Sequence, residues 1–197
     1  MLPPNYALTV VTAPASEPVS LVEAKEHLRV SHDEENVLIE QLIQSAREQV
    51  ENDTARALFT QTLRLSLDRF PSGPDNAIRL PRPPLASVSS IAYVDTAGDS
   101  QTLSGAAYQV DAYSEPGRVV PVYGTSWPSA RCQPNAVTVQ YVAGWTVGTM
   151  PAAAKQLVLL WVSHLYDRRD PVNVGNIVSP MPMAIETLTW RLRWGHY

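Results

Sequence analysis

The period of the hydrophobic positions changes twice along the chain. Ser20-Leu21-Val22-Glu23 has the form of a capping box, in which the serine hydroxyl takes an orphan helix N–H and the glutamate reaches back to the serine amide; it predicts a short helix from Leu21 to about Arg29. Ser31-His32-Asp33-Glu34 reads as a second box opening a longer helix. There Ile39, Leu42, Ile43, Ala46 and Val50 share one face, and Glu40, Gln44, Arg47 and Glu51 the other, so one-sided packing is expected. From Thr60 the pattern alternates: Leu63, Leu65 and Leu67 are interleaved with Thr62, Arg64, Ser66 and Asp68, as in a half-buried strand. Further strands are expected at Ala77 to Leu80, Val88 to Val94, Tyr108 to Tyr113, Arg118 to Tyr123 and Ala136 to Val142, with turn-formers such as Ala97-Gly98-Asp99-Ser100 between them. The helical period returns after Pro151, where Leu157, Leu160, Trp161, His164 and Leu165 line a face and Arg168 and Arg169 suit the last turn. Pro171 ends that helix, Val172 to Pro182 reads as loop, and Met183 to Trp194 can form one more helix.

This order predicts an α+β fold: a small helical bundle of two N-terminal helices, one long late helix and a C-terminal helix, with an antiparallel β module inserted in it. The expected boundaries are an extended N-terminal arm over 1–18, a helical core over 19–58 and 149–171, the β module over 59–148, and a C-terminal arm with a short helix over 172–197. Proline clusters at Pro3, Pro4, Pro14 and Pro18 and at Pro180 and Pro182 mark the two arms. The opening residues lack the basic and apolar regions of a signal peptide, and no run of about 18 apolar residues occurs, so neither export nor a membrane span is indicated.

Composition narrows the chemistry. The formal charge of −4 argues against a protein whose main task is to grip phosphate backbones. The single cysteine, Cys132, excludes an internal disulfide framework and a cysteine-based zinc site. No nucleophile elbow, Walker loop or dinucleotide fingerprint is present, so no catalytic, cofactor-binding or metal-ligating residue is assigned. His164 and Asp167, three apart on the late helix, are the pair that a hydrolase would use, but packing explains the histidine more simply. His32 and His27 read as capping and surface residues. The C-terminal segment is different. Ile185, Leu188, Trp190, Arg191, Leu192, Arg193, Trp194 and Tyr197 combine apolar, aromatic and arginine side chains, the types that dominate protein–protein hot spots, and are the candidate partner-binding residues. The same basic aromatic pair could stack on single-stranded nucleic acid in a small regulator, though no further basic cluster supports that reading.

The order of segments also carries a resemblance. VSLVEAKEHLRVSHDEENVLIEQLIQSAREQVENDTAR, IRLPRPPLASVSSIAYVDTAGDSQTL, the Tyr108-Gln109-Val110-Asp111 step, GRVVPVYGTSWP, VTVQYVAGW and LYDRRD together resemble the head-tail connector, or adaptor, proteins of tailed bacteriophages and gene transfer agents, over roughly 19–170. The resemblance implies a non-enzymatic virion protein of the neck. Such an adaptor is assembled in the host cytoplasm as a homo-oligomeric, twelve-fold ring beneath the portal protein. A stopper or tail-terminator protein lies below, and DNA passes through the lumen without sequence-specific binding. An acidic balance suits such a conduit, since a channel that bound phosphates at many points would hold the DNA it must release.

Overall fold

The computed structural model describes residues 6–73, 76–168 and 183–195. The elements are β1 (Tyr6–Thr12), α1 (Leu21–Leu28), α2 (Asn36–Thr54), β2 (Gln61–Leu67), β3 (Ile78–Arg79), β4 (Leu85–Val94), β5 (Ser100–Thr102), β6 (Tyr108–Asp111), β7 (Arg118–Pro121), β8 (Val137–Ala143), α3 (Ala152–Asp167) and α4 (Met183–Leu192). Among the described residues, four helices and two antiparallel sheets make the fold α+β, as the periodicity predicts. The chain divides into two compact units, Met1–Ala15 with Thr60–Trp145, and Ser16–Phe59 with Thr146–Tyr197.

In the first unit the sheets run in the order β1-β2-β8-β4-β5 and β3-β7-β6. Alternation along β2 becomes burial of Leu63, Leu65 and Leu67, which face Tyr141, Val139 and Val137 of β8 across the ladder. Tyr141 is fully buried, and its hydroxyl donates to the Pro81 carbonyl at 2.7 Å, so the phenol brings no unsatisfied polar atom into the core. Phe70 stacks on Trp127, with ring centroids 5.1 Å apart, and Trp127 Nε1 donates to the Asn76 carbonyl at 2.7 Å. At Gly117 a Cβ would lie 2.5 Å from the Leu85 side chain, so β4 is packed against that backbone more closely than any other residue allows.

Two strands escape the sequence pattern. Residues 6–12, expected in an extended arm, form β1 and pair with β2 from Tyr6↔Leu67 onward; almost all of β1 is exposed, so its burial does not alternate. Ser100, read as the last residue of a turn, instead begins β5 with Gln101 and Thr102, which the pattern assigns to no element. Asp95 Oδ1 accepts the N–H groups of Ala97, Gly98 and Asp99 at 3.0 Å each, and Gly98 takes φ +102°, so the turn is tight enough to bring this polar tripeptide back beside β4.

In the second unit the Ser20 box forms as read: Glu23 N–H donates to Ser20 Oγ, and Ser20 N–H donates to Glu23 Oε2. The second box does not form. α2 begins only at Asn36, because Lys25 holds Asp33 at 2.7 Å and the Asn36 side chain at 2.9 Å, drawing 31–35 into a turn. α2 also departs from one-sided packing: Arg47 and Glu51, read as exposed, are buried. Arg47 bonds Glu17 at 2.8 Å and Glu51 at 3.1 Å, while the other Glu51 oxygen accepts the Leu58 N–H at 2.8 Å. Burial opposes the Arg47 charge, but Glu17, Glu51 and Glu48 outweigh it and raise its pKa above the ordinary value.

Two outcomes are expected. Arg47→Ala removes a buried cation bonded to both Glu17 and Glu51 and should cost about 3–5 kcal/mol, read from the urea midpoint. The Lys155 ammonium and then the Ser20 amide lower the Glu23 pKa to about 2 from its usual 4.5. Because the folded value is depressed, the contribution is present above the ordinary value and is lost as pH falls from about 4.5 towards 2. Both partners are about 40% exposed, so wild type should lose at most about 1 kcal/mol more than Glu23→Gln over that window in urea titrations.

Candidate partner interface

α4 places the candidate segment on the helical unit. Its first turn carries Glu186 and its last Arg191, both on the favourable side of the helix dipole. Ile185 is fully buried, and Leu188, Leu192 and Trp194 are half-buried. Trp190 is 68% exposed, and Arg191 and Arg193 are exposed. The eight sequence candidates therefore separate: Ile185 serves packing within the unit, Trp190, Arg191 and Arg193 are presented outward, and Tyr197 lies outside the described residues. Pro180 and Pro182, which mark the C-terminal arm, also lie outside them. α4 itself packs with α2 and α3. An apolar stripe of Ile185, Leu188 and Leu192 at i, i+3 and i+7 is what holds it there.

The carboxyl ends of α2 and α4 satisfy each other. The Trp194 N–H donates to the Thr54 carbonyl at 2.8 Å, and Arg56 Nε donates to the Leu192 carbonyl. Each helix end would otherwise expose unpaired carbonyls. Ala55, at φ +54°, turns the chain out of α2 in the left-handed conformation that such ends favour. Beside this junction Asn52, Asp53, Glu186, Thr189, Trp190 and Arg193 line an open cleft of about 460 Å³. The cleft offers an indole face, one guanidinium and two carboxylates. Those groups can hold a protein side chain by stacking and charge-assisted bonds, but they do not assemble a nucleophile and a base.

Of the alternative chemical pair, His164 packs edge-on against the Trp161 ring on its own helix, with centroids 5.7 Å apart. Burial first, and Arg168 second, lower its pKa, against the opposing pull of Asp167. His32 Nδ1 lies 2.9 Å from Glu34, and His27 is exposed. No group of three His, Cys, Asp or Glu able to hold a metal occurs among the described residues, and Cys132 is exposed.

Residues 18–109 match the Phage gp6-like head-tail connector proteins. This is the family that the segment order resembles. The fold is also that of a chain from the neck of an empty GTA particle computed with C6 symmetry, with TM-score 0.77 and 24% identity over 95% of each chain. A chain from the virion of a native gene transfer agent particle aligns with TM-score 0.77 and 23% identity over 94% of each. One from the neck of a native GTA particle computed with C12 symmetry gives TM-score 0.75 and 23% identity, covering 95% of this chain and 94% of that one. None of the curated proteins matches.

A stability test separates presentation from packing. Trp190→Ala, at a mostly exposed position, should cost no more than about 1 kcal/mol. Ile185→Ala should cost about 2–4 kcal/mol through cavity formation, both read from thermal melts with urea controls.

Proposed function

We propose that this protein is a structural head-tail connector: an adaptor that forms a twelve-fold ring beneath the portal of a DNA-filled capsid, joins it to the tail, and passes DNA through its lumen. The observation that carries this reading is the match of residues 18–109 to head-tail connector proteins, supported by a fold shared along nearly the whole chain with components of gene transfer agent necks. The adaptor acts as a virion protein, assembled in the host cytoplasm, with a stopper or tail-terminator protein below it. It performs no chemistry of its own.

Charge favours a conduit. The β unit has as many acidic as basic residues, so the formal −4 lies on the helical unit. Neither unit offers DNA the net positive surface that would retain it. Trp190, Arg191 and Arg193 are the side chains by which the adaptor meets the portal: an aromatic anchor flanked by two cations is suited to carboxylates at the rim of an apolar pocket.

Electron microscopy of particles from a producer lacking this chain should show DNA-filled heads separate from tails, restored by the wild-type chain. Trp190→Ala/Arg191→Ala/Arg193→Ala should fold normally and restore at most about a tenth of the joined particles. Full joining without the chain would refute the connector role, and full joining with the triple variant would move the portal contact elsewhere.

A further inference from the structure

The first sixteen residues contain no Asp, Glu, Lys or Arg, and seven of them form β1 at one edge of the five-stranded sheet. The antiparallel register sets Tyr6, Leu8 and Val10 opposite Leu67, Leu65 and Leu63. Cross-strand partners project to the same side of a pleated sheet, so these three residues continue the face that β2 buries. Yet Tyr6 is 45% exposed and Val10 53%, against 0–3% for the three leucines. The apolar face thus runs one strand further than its cover. Beyond β1 lies a row of backbone donors and acceptors with no further described strand.

Sheet edges that must stay unpaired are usually kept short, charged, interrupted by proline or twisted away by a bulge. β1 is seven residues long, without charge or proline, and its one register shift comes near the end, between Val10 and Thr12. The opposite edge, β5, is three polar residues, all exposed. One sheet therefore has a guarded edge and an open one.

We propose that β1 is the acceptor edge for an extended stretch of a second copy of this chain, the adjacent subunit of the ring. This rests on the ring reading above. A cyclic ring gives every subunit one neighbour on each side, so each copy receives one stretch and donates one, and every open edge is covered with no other component. Two β1 strands pairing with each other would make a two-fold dimer, a contact that a cyclic ring does not contain, so the incoming stretch is a different part of the chain. It adds backbone hydrogen bonds along β1 and lays alternate apolar side chains beside Tyr6, Leu8 and Val10.

The test uses assembled particles. A photo-crosslinking amino acid in place of Val10 should give, on a denaturing gel, a product of about twice 21.7 kDa containing two copies of this chain. A product with a different neck protein, or no product, overturns the proposal. Val10→Lys, at a half-exposed position, should leave the thermal midpoint of the free chain within about 2 °C while reducing joined particles at least tenfold; wild-type assembly by this variant also overturns it. Electron micrographs of the same particles distinguish the two readings. Rings without the β1 crosslink refute the edge alone, and an absence of rings refutes both.

Discussion

The helical unit is organised around one buried guanidinium. Arg47 joins Glu17, which precedes α1, to Glu51 one turn further along α2, and Glu51 uses its second oxygen to hold the Leu58 amide after α2 has ended. A charge pair in such surroundings is worth keeping only if each oxygen and N–H has a partner, since desolvation of either ion alone costs several kcal/mol. The arrangement therefore ties the entry and exit of the two N-terminal helices to one point of α2. The apolar stripe of Ile39, Ile43, Ala46 and Val50 supplies most of the burial, but that stripe would tolerate small shifts along the helix that the ion pair does not.

The same logic, polar groups closed in pairs at the ends of elements, recurs at the candidate interface. Thr54 and Leu192 carbonyls are taken by Trp194 and Arg56, so α4 is fastened at its carboxyl end as well as by Ile185. Fixing the backbone of α4 leaves Trp190 and Arg191 on a packed helix and Arg193 just beyond its last residue. A docking residue held this way loses less conformational entropy on binding than one on a free arm. The function proposed for the segment is thus served by its being packed.

In unit 1 the buried ladder residues of β2, β4 and β8 leave little slack, as Gly117 against Leu85 illustrates. The unit's sheet is closed at β5 by the Asp95 turn and left open at β1. Asp111 repeats the Asp95 device: bonds from the Ser114 hydroxyl first, then from the Ser114 amide, the Arg118 guanidinium and the Tyr113 amide, draw its pKa down to about 2. Local carboxylate-to-amide bonds of this sort shape turns that hydrophobic burial does not specify.

Much of this was legible in one dimension. The Ser20-Glu23 box, the i, i+3, i+4 stripe of α2, the alternation of β2 and β8, and the helix after Pro151 each follow from bonds or burial between residues near in sequence, and the order of segments carries the resemblance to the connector family. What only the tertiary structure decided has a common cause: the partner lies far along the chain. β1 exists because it finds β2 some fifty residues away. The second box yields to Lys25, and Arg47 and Glu51 are buried because Glu17 and the Leu58 amide are there to pair them. Ile185 is divided from Trp190 by which side of α4 meets α2 and α3. Periodicity records which face of an element is apolar, and it carries no information about which distant group will compensate a charge or extend a sheet, so those choices were open until the chain folded.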